Sequence, residues 1–589
     1  MKLLLLSLIL IVPKTGFALV AITNGNYFVG FDDLIHPVTG ADFQLKIERN
    51  YNSRSQYFGM FGYGWGSDYE AYLLPSVDGS VIIQESGGGA KTRFTPEKFS
   101  QNDLDNSITQ LVEAYKKGGG KDTENFRKTM MKDAEDRDRQ ARNFGVFPKL
   151  PMGAKLFSTE RGGEKQTVVV TKEGYVRRYA DGKEEHFTVQ SSVKDFGNDP
   201  SHARVLKGIF RVSKLVDPVK KTAVFYEYKG GCLSSATDKK TQFIRFACDK
   251  GGRVVKASDR SNRSATYKYC ADREYSSASK CSFHDLIESK DAIGNVYRYE
   301  YDASHNLTAV IGSDGTREEI TYWPIETMGN GGVKSVAKLE VDSSKKLVEK
   351  EKVEYGYWND PKDSKLHYKT EVKTKYSSFE SKAIYEYFEK RRNDGSAYRY
   401  KMVTDIDGDK TTTIYNECCG QPLRIENKNG VTSFEYYPQS GLLKERNTPN
   451  EVTKMEYHPK IHGKITKVTV IDKKTEKVDS SEFFYDEGNG NLKQARTSDG
   501  RAVALQYDGS GKITAMVDHK KRKITFKYNE NAKPIEIKQD GIGSILVQYD
   551  KGGNIREVKS QGGRDIAMTV TQAFQNLLEI IKPAGIQPI

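Results

Sequence analysis

Ala502-Val-Ala-Leu-Gln-Tyr507-Asp508-Gly-Ser-Gly-Lys-Ile513-Thr-Ala-Met-Val-Asp518 decides the fold. Val503, Leu505 and Tyr507 alternate with Ala504 and Gln506, the period of a strand with one buried face. Asp508-Gly-Ser-Gly then supplies residue types that bond their own backbone or tolerate positive φ, and Ile513 opens a return strand. The neighbouring sequence repeats this arrangement. Tyr485, Tyr507, Tyr528 and Tyr549 stand 22, 21 and 21 residues apart. Ile524, Phe526, Tyr528 and Ile545, Val547, Tyr549 repeat the alternation, while Asn529-Glu-Asn and Asp550-Lys-Gly-Gly repeat the turn. A fixed period in this range marks a repeat architecture. Each unit is two strands of ordinary length plus two turns, a hairpin that cannot bury its face alone, so neighbours must stack. Thr525, Lys527 and Gln548 leave the other face wet, as antiparallel sheets permit.

Looser copies lie upstream. Asp291-Ala-Ile-Gly-Asn leads to Tyr301-Asp302 and then Leu307, Asp405-Ile-Asp-Gly leads to Tyr415-Asn416, and Tyr436 and Tyr457 keep the 21-residue interval. Together with Tyr485-Asp486-Glu-Gly, Tyr507-Asp508-Gly-Ser-Gly-Lys-Ile and Tyr549-Asp550-Lys-Gly-Gly-Asn-Ile, these motifs resemble the repeats of the Rhs (YD-repeat) family from Val216 to Ser560. The resemblance implies a β-sheet that spirals around a hollow; period and alternation alone show stacked hairpins. Near the amino terminus, Arg49-Asn-Tyr-Asn-Ser-Arg54, Gly62-Tyr-Gly-Trp65 and Asp78-Gly through Arg93-Phe94 are similar to the domain that commonly precedes Rhs repeats. Longer family members continue into an Asp-Pro-x-Gly-Leu-type self-cleavage motif and a variable toxin domain. Here the last Asp-Pro is Asp360-Pro361 and 29 residues follow Ser560, so neither self-cleavage nor an attached toxin is expected.

Met1-Lys2 followed by apolar Leu3–Val12, with Gly16 and Ala18 at the −3 and −1 positions, reads as a secretory signal peptide. No later run approaches the ~20 continuous apolar residues of a membrane span. Export to the periplasm, cell surface or medium is the expectation. The formal charge of +13 could attract a polyanion, but the lysines are scattered through strands and turns instead of forming a stripe, so nucleic acid is not an expected partner.

Pro96 to Phe147 breaks the β pattern. Leu104, Ile108, Leu111, Val112 and Tyr115 recur at helical spacing, Gly118–Gly120 interrupts, and Phe126, Met130, Ala134, Arg137, Ala141 and Phe144 resume it before Gly145, predicting two antiparallel helices inserted between β segments. The expected organisation is a leader at 1–18, an N-terminal β domain at 19–95, a helical hairpin at 96–150, a connecting β region at 151–215, repeats at 216–560 and a tail at 561–589.

Residues that carry chemistry do not assemble into a site. Asp405, Asp407 and Asp409 have the first spacings of a calcium loop, but Lys410 and Asn416 stand where that loop needs Gly and Glu, and the same residues suit a repeat turn. His458 and His462, four apart, lie beside Pro459 and Gly463 and not on a helix. No paired-carboxylate, Ser-His-Asp or Cys-His set emerges, and no cofactor or metal is expected. Leu233–Thr237 and Gln242–Ala247 read as hairpin arms that set Cys232 opposite Cys248, within disulfide range. The same logic pairs Cys270 with Cys281; adjacent Cys418 and Cys419 are expected to form no standard bond.

The chain is therefore expected to be all-β, with stacked or spiralling antiparallel hairpins and a small helical insertion. The structural repeat residues are Tyr301, Tyr415, Tyr436, Tyr457, Tyr485, Tyr507, Tyr528 and Tyr549. The expected function is that of an exported, non-enzymatic scaffold that encloses or binds a separately encoded protein. The alternatives are an envelope-polysaccharide adhesin or a toxin-delivery fragment.

Overall fold

Strand follows strand because apolar alternation and turn residues recur along almost the whole chain. The computed structural model describes residues 17–561, apart from 36–42, 44, 56, 88, 159–165, 190–192, 196–203, 207–208, 219–220, 230–231, 241, 273, 325–330, 365, 392–396, 510, 530–532 and 550–554. The expected leader and the tail beyond Gln561 lie outside the described residues, except that the backbone of Phe17 and Ala18 pairs with Gly30 and Val29.

Three bodies build the molecule. The first is a four-stranded antiparallel sheet of Phe17–Ala21, Asn26–Ile35, Lys46–Asn52 and Trp65–Ser67. The second is a closed ring. Strands Tyr72–Pro75, Val81–Gln84, Lys91–Pro96, Lys155–Ser158, Thr167–Val170, Gly174–Arg178, Glu184–Val189 and Phe210–Asp217 pair in that order. Phe210 and Arg211 then return to Leu73 and Tyr72. The segment 19–95 is thus divided between the first sheet and the ring.

The third body grows out of the ring at its closing strand. Phe210–Asp217 pairs along one side with Glu184–Val189; along the other it meets Tyr72–Leu73 at its start and Thr222–Lys229 at its end. From Thr222 to Gln561 each strand pairs with the one before and the one after it, in a single antiparallel ribbon.

The helical segment is the loop of one ring hairpin, since Phe94, Thr95 and Pro96 face Ser158, Phe157 and Leu156. Three helices form instead of two: α1 (Gln101–Lys117), α2 (Thr123–Lys132) and α3 (Ala134–Phe144). The break has a local cause. The Asp133 side chain accepts from the Asp136 backbone N–H and so starts a new helix, capping that the apolar spacing could not register. Ser100 and Asp103 form a capping box on α1, and Gly145 ends α3 at φ +71°. Ile108, Leu111, Met130 and Ala141 form a small core with Val77. Asp138 ties it to the ring by accepting from Ser76 Oγ (2.8 Å) and Val77 N (3.0 Å).

Two larger cores lie along the ribbon. One joins the first sheet, the ring and the strands as far as Val336; the other spans Val468 to Ile524. Between Leu347 and Asn450, by contrast, only Thr370, Tyr387 and Thr413 are buried among the described residues, so this part of the wall is one sheet thick.

Candidate functional site

The repeat motif is a joint between successive hairpins. Each repeat strand ends on its tyrosine, and a β-bulge falls immediately before it, as at Gln506/Tyr507, Lys527/Tyr528 and Gln548/Tyr549. Bulges kink a strand and sharpen its twist. The ring of the tyrosine is thereby turned toward the preceding hairpin, and its hydroxyl donates to the carbonyl of the first residue of that hairpin's return strand. Tyr507 reaches Leu492 (2.9 Å), Tyr528 Ile513 (2.8 Å), Tyr549 Pro534 (2.9 Å) and Tyr485 Ile465 (2.9 Å). Tyr457 reaches Leu443, Tyr436 Pro422 and Tyr301 Leu286 by the same rule. Tyr415 departs from it, with its hydroxyl 3.9 Å from Met402 Sδ. The strand beside it, Ala397–Ile406, runs past the tyrosine instead of starting there. The link between these units is a hydroxyl–carbonyl bond rather than stacked rings.

The residue after the tyrosine closes the turn. Asp508 Oδ1 accepts from Lys512 N (3.0 Å), Asp302 Oδ1 from Asn306 N (2.9 Å) and Asn529 Oδ1 from Lys533 N (3.0 Å). Asp and Asn each present a side-chain oxygen that accepts from the backbone of its own turn. Burial raises the Tyr507, Tyr528 and Tyr549 hydroxyls above the ordinary tyrosine pKa, so they remain donors throughout the neutral range.

The first sheet is locked onto the ribbon by Arg49. Its guanidinium is fully buried, bonds Asp33 through Nε (2.8 Å) and Nη2 (3.2 Å), and donates from Nη2 to Ser289 Oγ and Tyr299 Oη (2.9 Å each). Tyr267 Oη donates to Asp33 (2.9 Å), and Trp65 lies 4.1 Å from the guanidinium. Burial alone would lower the arginine's pKa; the Asp33 carboxylate outweighs it and holds the pKa above its ordinary value. Trp65 Nε1 donates to Tyr301 Oη (3.0 Å), and the Leu307 N–H donates to Tyr51 Oη (2.9 Å). Farther along, Thr370 Oγ1 donates to Ile22 O. At Gly25, φ is +68° and a Cβ would lie 2.6 Å from Tyr357 Oη, so only glycine fits where the sheet meets the ribbon. Neither Arg49–Asp33 nor its partners were legible as a site, although Arg49 opens one of the N-terminal motifs.

A cavity of about 400 Å³ sits between the 57–70 connection, the ring's closing strand and the first strands of the ribbon, walled in part by Tyr57, Tyr69, Arg211, Tyr228 and Phe246. Buried Glu70 accepts there from Met60 N (2.6 Å), Tyr57 Oη (3.2 Å) and Ser67 Oγ (3.0 Å). Burial pushes its carboxyl up to about 7 against those donors. Both oxygens hold the chain's own groups, so Glu70 clasps the Phe58–Tyr63 hairpin.

The sequence-level candidates each already hold partners within the chain. Asp407 accepts from Lys382 N and Ser381 Oγ, Asp405 from Gly408 N, and Asp409 pairs with Lys428. His458 Nδ1 accepts from Lys460 N and Ile461 N. Among the described residues no three His, Cys, Asp or Glu side chains are grouped to hold a metal ion. A Ser–His–Asp set does meet, which the sequence reading missed: Ser282 Oγ and Asp285 Oδ1 lie 3.2 and 2.8 Å from His305 Nδ1. Both use the same ring nitrogen, so Ser282 is not aligned with the opposite nitrogen as a relay requires.

Cys232 bonds Cys248 with Cα atoms 6.5 Å apart, and Cys270 bonds Cys281 at 6.1 Å. Cys418 and Cys419 also bond, at a Cα distance of 3.7 Å, as a vicinal bridge and not the standard bond whose absence was expected. That expectation rested on the usual spacing of bridged residues, ~4.4–6.8 Å. The turn in which the pair sits brings the sulfurs together even so.

Two family models match the chain: Domain of unknown function (DUF6531) over residues 19–92 and RHS Repeat over 282–317. No curated protein matches it. Among solved structures, TcdB2-TccC3-Cdc42 is 11% identical with a TM-score of 0.41, covering 91% of this chain and 27% of that one. The Photorhabdus luminescens Tc holotoxin pore is 11% identical at a TM-score of 0.28, covering 91% and 32%. This chain thus spans about a third of those chains or less. Among the described residues no helix is long and apolar enough to cross a membrane. With the RHS model falling on hairpins whose joints recur along the ribbon, the chain carries Rhs (YD-type) repeats that follow a DUF6531 domain.

Proposed function

We propose that this is an exported, non-enzymatic β-scaffold whose repeat wall encloses or binds a separate polypeptide. One observation carries the reading. A single face of the ribbon is continuous from Tyr357 through Thr370, Tyr385, Thr404 and Thr411. At its beginning this face meets the first sheet, through Thr370 and Ile22. Farther on, Tyr368, Tyr385, Met402, Tyr415 and Phe434 line it and are only half-buried. Tyrosine-rich surfaces give large, rigid contact area together with hydroxyls that adapt to a partner's backbone.

Site-specific photo-crosslinking tests the reading. A benzophenone side chain at Tyr385, on that face, is expected to crosslink the product of an adjacent gene when the two are co-produced. The same group at Lys373, on the opposite face, is expected to give none. Equal crosslinking from both faces, or turnover of peptide, glycan or nucleic-acid substrates by the purified chain, would overturn it.

A further inference from the structure

The three disulfides differ in what they can do for the fold. Cys232–Cys248 and Cys270–Cys281 close loops of separation 16 and 11, and Cys270 and Cys281 are buried. Such cross-links restrict the unfolded chain. Cys418–Cys419 has a separation of 1 and closes no loop, so that account of stabilisation fails for it. Its position is also different. Cys418 is exposed at the tip of the turn between Asp409–Tyr415 and Pro422–Asn427, in the wall that is one sheet thick.

The turn is held without the sulfur bond. Asn416 N donates to Gln421 O (2.9 Å), and Asn416 Oδ1 accepts from Cys419 N (3.1 Å) and Gln421 N (3.0 Å). Gln421 Nε2 donates to Gly441 O (2.7 Å), anchoring the turn to the neighbouring repeat turn. None of these contacts uses a sulfur, so opening the bond leaves both cysteines presented as before.

We propose that Cys418–Cys419 is a site of thiol–disulfide exchange whose reactant is an external dithiol. A thiolate of the dithiol attacks Cys418 Sγ; the Cys418–Cys419 bond breaks and Cys419 leaves as thiolate, which is then protonated. The second thiol, as its thiolate, attacks the mixed disulfide and releases Cys418 as thiolate, protonated in turn. Two electrons and two protons pass to the cysteine pair, and the dithiol becomes a disulfide. Exposed attack on Cys418 sets the order of reduction, with this bond opening before half-buried Cys232–Cys248 and before Cys270–Cys281, which lies in the core.

The test uses the full oxidised protein and dithiothreitol as the dithiol, with quenching by N-ethylmaleimide and peptide mass mapping. Cys418 and Cys419 are expected to reach half-labelling at a dithiothreitol concentration at least tenfold below that of the other four cysteines, with an unchanged circular dichroism spectrum. The Cys418→Ser/Cys419→Ser double variant should lose only this early labelling. Parallel reduction of all three bonds, labelling of the pair without reductant, or early labelling that persists in the double variant would each overturn the proposal.

Discussion

Tyr507 Oη donates to Leu492 O across 2.9 Å, tying the end of one hairpin to the first residue of the return strand before it. Repeated at Tyr528 and Tyr549, this bond fixes how far each unit is displaced from the last. Tyr507→Phe keeps the ring and removes the bond, so it should cost about 0.5–1.5 kcal/mol. Tyr507→Ala also removes half-buried ring area and should cost about 2–3 kcal/mol, below the value for a fully buried aromatic. Urea midpoints measure both; a Phe variant as stable as the native protein would show that ring packing alone holds the register.

Arg49 and Asp33 are both buried, so either one left alone is an uncompensated charge. Arg49→Leu should destabilise by about 3–5 kcal/mol. Limited proteolysis should then cut first within 17–67, since the lost contacts to Ser289 and Tyr299 hold that sheet to the ribbon. Uniform cleavage along the ribbon would count against a local lock.

Glu70 sets a pH dependence. Its carboxyl sits at about 7 in the folded chain against an ordinary 4.5. Between those values the folded state binds more protons, so stability falls as pH rises and the loss is complete above about 7. The shift corresponds to about 3 kcal/mol at ~1.36 kcal/mol per unit. Thermal melts from pH 4.5 to 8 should decline for the native chain, and Glu70→Gln should remove that part of the slope. Parallel pH profiles for the two would contradict the assignment.

Replacing Ser100–Phe144 by a short linker should leave a soluble β protein. The hairpin Lys91–Pro96/Lys155–Ser158 is already paired at its base. Circular dichroism should lose its helical signal and keep the β minimum. Because Asp138 and Val77 are partners, some stability of the Ser76–Ser80 turn should be lost as well; complete aggregation would instead make the helices part of the ring's core.

What the sequence determined by itself is local. Val503–Leu505–Tyr507 alternation, Asp508 at the turn and the 21-residue interval follow from pleat, turn chemistry and chain length, each contained within a few residues. The same locality allowed Cys232 and Cys248 to be set opposite each other. What only the tertiary structure decided involves long separations. Phe210 closing on Leu73, Arg49 reaching Tyr299, and Thr370 meeting Ile22 depend on how the accumulated twist of many strands brings distant segments together. No residue-level pattern carries that sum. Even the role of the tyrosines changed with it: their periodic placement was legible, whereas their bond to the preceding return strand depends on a bulge and on the relative displacement of two hairpins.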